Sequence, residues 1–460
     1  MKTNPFNVSN SSRQPAEVLS RRKLLTSATA AGIVPLLIPG CAKNMAESKV
    51  HAKRRHKVAA IYTAFTHRSH VNVILENFLE PYYFNGQWID PRLEFEIVSL
   101  WGDQFPKGDM AHRVSREYDI PIYDTIADAL CLGGTELSVD AVLSIGEGGG
   151  NHYAVNDLQQ VEYPRKRFFD EIVAVMRQSK RVVPLFTDKH LSYRWDWAKE
   201  MYDTARQMDI PLMAGSSISL AERRPPLEIP DGAEIAEAVS IHGGKLEVYD
   251  FHGLESLQAF VELRAGGETG VSQVQFVEGA QLWKAANNGR WSEELTEAAM
   301  ATETGLDATL WRELKPPPYA ILLDYNDGFR AAMLRIGDDS IRWNFACRLK
   351  NQSAPKATRM FVGPWRNRYL FKAFSHAIQH FISYQKSPYP VERTFLTTGI
   401  LEAAMRSRHD GGSPLATPHL NISYEPLDYR AFREMGATWK MIEDDVPEPR
   451  GIAKTTPRAP

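Results

Sequence analysis

Val182-Val183-Pro184-Leu185-Phe186-Thr187-Asp188-Lys189-His190 is an apolar run that stops abruptly at four polar side chains, with a helical stretch from Trp195 to Met208 beyond it. A short apolar run bounded in this way reads as a buried strand, and it leaves one lysine at the strand's C-terminal end. In open α/β sheets this edge collects ligands, because several loops and helix N-termini converge there. Lys189 is therefore a candidate for chemistry, against the ordinary alternative of a solvated loop lysine.

Working outward, the same unit repeats. Lys57 to Tyr62 reads as a buried strand and Val71 to Leu79 as a helix; Leu93 to Leu100 alternates as a second strand, with a helical stretch from Ala111 to Tyr118. Short elements cover Pro121-Ile122-Tyr123 and Ile126 to Leu130. Ala141 to Ile145 forms another apolar strand, followed by a helix from Phe168 to Gln178, the strand before Lys189, and a last strand at Pro211 to Ala214. Strict βα alternation predicts a Rossmann-like, doubly wound parallel sheet over residues 56–222. From 223 to 442, strands at Val271–Val277, Ala320–Tyr325, Phe329–Ile336 and Ile341–Arg348, with a hairpin turn at Asn326-Asp327-Gly328, predict an α+β domain. Its sheet should be open and mostly antiparallel. Residues 443–460, rich in proline and charge, read as a tail.

Composition excludes whole classes of partner. The 460 residues hold 54 basic and 56 acidic side chains, so nothing draws the chain globally to nucleic acid or to an anionic membrane. A hydrophobic content of 43%, with ten Trp, seventeen Tyr and twenty Phe, is enough for sizeable cores. Residues 1–45 carry an address: Ser20-Arg21-Arg22-Lys23-Leu24-Leu25 and a weakly apolar tract to Ile38 resemble a twin-arginine export signal. That tract is too short to span a bilayer. Cys41 stands where a lipoprotein's lipidated cysteine would, although Pro39 departs from that pattern, so lipid anchoring and simple cleavage are both open. A periplasmic or membrane-anchored location follows. Cys131 and Cys347 lie in apolar surroundings and read as two buried thiols rather than a disulfide framework.

Gly146-Glu147-Gly148-Gly149-Gly150-Asn151-His152 follows another strand on the same edge. Its glycines let backbone amides approach a ligand, and Glu147, Asn151 and His152 supply polar heads. With Thr63, His67, Asp188, Lys189 and His190 they make an edge rich in histidine. A metal centre is not expected: His376 and His380 are four apart on a predicted helix, but Phe374, Ile378 and Phe381 make its core stripe and no cysteine pattern of structural zinc occurs.

The order of these pieces resembles the glucose-fructose oxidoreductase and inositol dehydrogenase family over most of residues 57–412. The resemblance runs through Asp140-Ala141-Val142, the loop to His152, Arg181-Val182-Val183, Asp188-Lys189 where the family typically has Glu-Lys, and Pro211 to Gly215. It continues through Gly243-Gly244-Lys245-Leu246 to His252 and Glu255, then Phe371 to Ile382, Pro388 to Val391 and Thr397 to Ser407. It implies an NAD(P)-dependent oxidoreductase that acts on a sugar, polyol or related hydroxyl-bearing substrate by hydride transfer. Lys189 would polarise the substrate oxygen and His252 would carry the proton. Thr63, Arg68, Asp103, Gly146, Gly148 and Asp188 would hold a tightly bound NAD or NADP; Glu147, Asn151, His152, His190 and Glu255 would hold substrate. The open face of the second sheet would make a homo-oligomer.

Three departures from the family pattern support a second reading. The first βα turn, Tyr62-Thr63-Ala64-Phe65-Thr66-His67-Arg68-Ser69-His70, contains no glycine, although glycines let such a turn approach a pyrophosphate. Trp101 stands near the place of the ribose-binding acid, with Asp103 two residues on. Val248 occupies the position one helical turn before His252, where the family often has aspartate. A descendant without dinucleotide binding, serving as a carbohydrate-binding protein or a redox-independent sugar enzyme, is the alternative.

Overall fold

The computed structural model describes residues 54–148, 153–442 and 451–452. The export motif, Cys41, Asn151, His152 and most of the C-terminal tail lie outside the described residues. Among the described residues no helix is long and apolar enough to cross a membrane.

In chain order the first half runs β1 (His56–Tyr62), α1 (His70–Leu79), β2 (Tyr82–Phe84), β3 (Gln87–Ile89), β4 (Phe95–Gly102), α2 (Ala111–Tyr118), α3 (Ile126–Cys131), β5 (Ala141–Ile145), α4 (Arg165–Gln178), β6 (Leu185–Asp188), α5 (Trp195–Gln207) and β7 (Leu212–Gly215). Five of these strands form a parallel sheet in the order β4-β1-β5-β6-β7. The chain leaves β1 toward β4 on one side and returns on the other to β5, so the switch point lies over the C-terminal ends of β1 and β5. Val58 to Tyr62 and all of β5 are buried, as a sheet covered on both faces requires. β2 and β3 form a separate hairpin about Asn85-Gly86, both left-handed, which is the pairing a tight hairpin turn favours.

One boundary moves in a way that matters. The strand expected over 182–186 begins in register only at Leu185, and the Pro184 carbonyl accepts the Val142 amide at 2.9 Å. Asp188 therefore closes the strand, and Lys189 is the first residue past it, bent into a left-handed conformation with φ of 66°.

The second half runs β8 (Glu222–Arg224), β9 (Ile235–His242), α6 (Asp250–Val261), β10 (Val271–Glu278), α7 (Ala280–Asn287), α8 (Glu293–Met300), β11 (Tyr319–Tyr325), β12 (Arg330–Arg335), β13 (Trp343–Leu349), β14 (Lys356–Phe361), α9 (Asn367–Tyr384), α10 (Val391–His409) and β15 (Leu415–Ala416). Its eight strands order as β15-β10-β11-β12-β9-β13-β14-β8, antiparallel except for the β9–β12 pair. The α/β class and both sheets agree with the expectation. One face of this sheet packs on α6 and α10 through Phe276, Ile321, Met333 and Phe345.

The other face is not open. Ala320, Leu322, Leu334 and Ala346 are roofed by Leu282, Trp291, Leu295, Met300 and Trp311 from the 280–314 segment. Trp283, Trp291 and Trp311 pack ring on ring at 5.8–6.3 Å. These aromatics cover the face expected to be exposed and form a core of their own with it.

The closing helices tie the two sheets together. Asn77 on α1 donates to Ser375 Oγ on α9 at 3.1 Å, and the Leu191 amide donates to Thr398 Oγ1 on α10 at 3.2 Å. Cys131 and Cys347 are both free and buried, as expected.

Candidate functional site

Lys189 stands at the C-terminal edge of the parallel sheet with only 2% of its surface exposed. Its Nζ donates to Glu147 Oε1 at 3.0 Å and to the Val248 carbonyl at 3.3 Å, leaving one of the three ammonium protons without a partner among the described residues. Arg165, at the start of α4, holds the other Glu147 oxygen at 2.8 Å. Burial alone would raise the Glu147 carboxyl, but Lys189, Arg165 and His70 outweigh it and hold it below the ordinary range. Two cations thus share one buried carboxylate at the edge.

Two histidines flank this charge. His70, the first residue of α1, places Nδ1 2.6 Å from Asp188 Oδ2. His252 on α6 places Nδ1 2.7 Å from Ser216 Oγ, just past β7. Their ring centres are 6.3 Å apart. Neither Nε2 has a partner among the described residues. The two partners impose opposite tautomers. A carboxylate only accepts, so in neutral His70 the proton sits on Nδ1 and Nε2 carries the lone pair. Ser216 is fully buried, its Oγ already accepts the Ile218 amide, and His252 Nδ1 is the acceptor available for its proton. His252 therefore carries its proton on Nε2. Burial pushes the His252 imidazole well below its usual range, and Lys189, His70, His190 and His242 push the same way, so it stays neutral.

A second layer supports these groups. His190 is 1% exposed, with Nε2 at 3.2 Å from Arg165 Nη1 and 3.4 Å from Glu247 Oε1, and burial with Arg165 and Lys189 lowers it well below its usual range. Glu247 is buried with neither carboxyl oxygen hydrogen-bonded, and burial pushes it up to about 8. It too is left-handed, with φ of 64°. Two non-glycine residues in that conformation, each costing about 1 kcal/mol or more, face one another across the site, where such strain tends to collect. Asp250 braces the Glu247 loop: its carboxylate takes the Glu247 amide at 2.6 Å, His242 Nε2 at 2.8 Å and the Tyr319 hydroxyl at 2.8 Å.

The structure gives the expected residues these surroundings. Asp188 orients His70 through Oδ2. Glu147 is the counter-ion of Lys189 and Arg165, not an open substrate ligand. His190 sits behind Lys189. Glu255 is fully buried and accepts from Thr397 Oγ1 at 2.8 Å, one layer beneath the edge. Gly146 is glycine because the stem of Arg165 crosses it: a Cβ there would lie 2.6 Å from Arg165 Cγ. Arg165, Glu247, Ser216 and the pairing of His70 escaped the sequence reading; only the run of polar residues after Phe186 signalled such a cluster. His376 and His380 lie against Phe84 and Phe432 respectively, on α9 and away from this edge.

The residues around the switch point do not fit a dinucleotide. Thr63 Oγ1 donates to the Glu147 carbonyl at 2.6 Å, closing β1 onto β5, and Gly148 packs beside that turn. Tyr62 and Phe65 are fully buried members of the core. The Tyr62 ring lies 2.8 Å from where a Cβ on Gly102 would stand, over the end of β4. The turn is zipped to the loop after β4: Asp103, Gln104 and Met110 amides donate to the Tyr62, Thr63 and Phe65 carbonyls at 2.9, 2.9 and 2.7 Å, and the Phe65 amide donates to Asp109 at 2.9 Å. Asp103, the expected ribose acid, accepts from Tyr153 at 2.7 Å and pairs with Arg167. Arg68 donates to the Trp365 carbonyl at 3.0 Å. Side chains fill the adenosine side, and backbone bonding closes the phosphate turn.

A hollow of about 600 Å³ lies beside α5 and α10, lined by Tyr193, Trp195, Glu402, Arg406 and His419 among others, and none of the nominated residues reaches it. Of the groups described at the edge, His70 keeps the most side-chain exposure, 18%, so a ligand would approach from its side.

A parallel Rossmann-like sheet is followed by a largely antiparallel one, and Lys189 stands at the C-terminal edge of the first. Among solved structures the chain is similar to GenD2 from gentamicin A biosynthesis, determined in complex with NAD, with a TM-score of 0.51 and 10% identity over 80% of this chain and 97% of that one. Myo-inositol dehydrogenase from Lactobacillus casei, in complex with NAD(H) and myo-inositol, gives a TM-score of 0.48 and 14% identity over 82% and 100%. Myo-inositol dehydrogenase from Corynebacterium glutamicum ATCC 13032 gives 0.47 and 10% over 79% and 99%. No family model and no curated protein matches the sequence. At 10% identity the likeness to GenD2 is one of fold.

Proposed function

We propose that this chain is an exported enzyme that takes a sugar, polyol or related hydroxyl-bearing substrate at the Lys189 edge and works on it by proton transfer, without a resident dinucleotide. The carrying observation is a pair of imidazoles with ring centres 6.3 Å apart and opposite tautomers, on the edge that carries the buried Lys189 ammonium. His70 Nε2 accepts a proton, His252 Nε2–H donates a hydrogen bond, and Lys189 stabilises negative charge on oxygen. A hydroxyl or carbonyl group is what such a set recognises. Export rests on Ser20 to Leu25; since the twin-arginine route carries folded proteins, the site would be assembled before translocation. The mass of the mature N-terminus separates lipidation of Cys41 from plain cleavage.

Thermal-shift measurements against a panel of free sugars, polyols and uronates test the substrate class. Stabilisation by a member of the panel that is lost in Lys189→Met supports the reading, and a flat response to the whole panel sinks it.

The second reading is an NAD(P)-dependent oxidoreductase acting on a CH–OH group. It is favoured by the two-sheet fold shared with GenD2, whose structure contains NAD. Denaturing the purified protein and assaying released NAD(H) or NADP(H) by absorbance and mass spectrometry decides between them. Retained nucleotide would establish the second reading and displace the first.

A further inference from the structure

We propose that the Lys189 edge abstracts a proton from a carbon next to a carbonyl group, so that the chain interconverts aldose and ketose sugars or their uronate counterparts. This rests on the proposed substrate class and adds the reaction. Three features of the site point to it together. First, the buried Tyr62 ring and the backbone bonds that close the turn after β1 do not fit a dinucleotide, so on this reading the electrons stay within the substrate. Second, the edge presents two donors and one base: the open Lys189 proton and His252 Nε2–H as donors, and His70 Nε2 as the base. A carbonyl oxygen accepts from two donors at once, whereas a hydroxyl also has a proton to place. Third, His252 is kept neutral by its surroundings, which suits an imidazole that polarises a carbonyl by hydrogen bonding without surrendering its proton.

The step balances without an outside oxidant or reductant. His252 Nε2–H and Lys189 hold the carbonyl oxygen. The C–H bond on the neighbouring carbon breaks, its proton goes to His70 Nε2, and its electron pair forms the carbon–carbon double bond of an enediolate whose charge rests on the held oxygen. Asp188 stabilises the resulting His70 imidazolium through Nδ1–H. The proton then returns to the former carbonyl carbon, the hydroxyl proton crosses to the former carbonyl oxygen, and the new carbonyl stands on the neighbouring carbon. Return to the original carbon from the same face regenerates the substrate, with solvent deuterium incorporated whenever His70 exchanges its proton first.

The experiment is proton NMR of the mature protein in D₂O with D-glucose, D-fructose, D-mannose, D-xylose and D-galacturonate, each paired with a thermal-shift measurement. The expected result is loss of the signal from the hydrogen next to the carbonyl in at least one sugar that the protein binds. His70→Gln should slow that exchange by about 10² to 10⁴-fold, the usual contribution of a general base. Asp188→Asn keeps the volume and a hydrogen-bonding partner but reverses the His70 tautomer, so it should slow exchange comparably while sugar binding persists; this covers the case in which His70→Gln folds poorly. Binding without exchange overturns the reaction and leaves the substrate class standing. Exchange unaffected by both variants overturns the assignment to this site. No binding of any panel sugar overturns both levels.

Discussion

His70 and His252 stand with ring centres 6.3 Å apart and are held through the same ring nitrogen by opposite partners, Asp188 at 2.6 Å and Ser216 at 2.7 Å. One outward nitrogen is therefore a lone pair and the other an N–H. The asymmetry comes from the fold: Asp188 is the last residue of β6, Ser216 follows the end of β7, and the adjacent strands β6 and β7 present their C-terminal ends to helices from the two halves of the chain.

Ser216→Ala should leave His252 without the hydroxyl that fixes its tautomer. Since Ser216 Oγ also accepts the Ile218 amide, the variant should lose about 1 kcal/mol of stability. Turnover of any substrate found by the sugar panel should fall about 10-fold or more with KM changing less, because the lost donor acts on charge that develops in the transition state. Steady-state kinetics check this, and an equal rise in KM with kcat intact would assign Ser216 to ground-state binding instead.

Glu147→Gln should be more damaging to the fold than its single side chain suggests. It leaves Lys189 and Arg165 buried without their shared counter-ion, and removing one partner of a buried ion pair costs on the order of 3 to 5 kcal/mol. Chemical denaturation measures the loss. A variant as stable as the parent would mean that Lys189 reaches solvent or another carboxylate.

Glu247 makes a prediction about pH with a definite sign. Its carboxyl is raised from an ordinary 4.5 to about 8, so between those values the unfolded chain releases the proton while the folded chain keeps it. Folding stability from this group is complete below pH 4.5 and falls as pH rises toward 8. Glu247→Gln, which cannot ionise, should gain on the parent across that window by up to about 5 kcal/mol. Parallel denaturation curves at several pH values test it; a difference that stays constant with pH would show Glu247 to be ionised throughout.

Tyr62→Ala should cost about 3 to 5 kcal/mol, the range for deleting a buried aromatic side chain. It should not create affinity for NAD⁺ or NADP⁺, because the backbone bonds from Asp103, Gln104 and Met110 still close the turn. Calorimetric titration of the variant checks the second half, and micromolar binding would show that the Tyr62 ring alone excludes a nucleotide.

Much of this architecture was legible in the chain because its elements are locally encoded. The βα periodicity located every strand of the parallel sheet to within a few residues, and the polar residues after Phe186 marked the ligand edge. What was not legible depends on distant pairs. His70 meets Asp188 across 118 positions, and α1 gives no hint that its first residue faces β6. β9 reads Ile-Ala-Glu-Ala-Val-Ser-Ile-His, too weakly alternating to stand out until β12 and β13 flank it. The missing glycines of the first turn were plain, but that Tyr62 and Phe65 enter the core, and that Asp103 turns to Tyr153 and Arg167, required the packed structure. The tryptophans of the 280–314 segment likewise showed no sign in sequence that they would roof the second sheet.

The most direct test of the central claim is nitrogen-15 NMR of the imidazoles in the mature protein, assigned with His70→Gln and His252→Gln variants and followed from pH 8 downward. The structure predicts opposite tautomers, His70 protonated on Nδ1 with Nε2 bare and His252 protonated on Nε2 with Nδ1 bare, the latter staying neutral well below the pH at which a free imidazole charges. The same tautomer on both rings, or a His252 imidazolium at neutral pH, would contradict it.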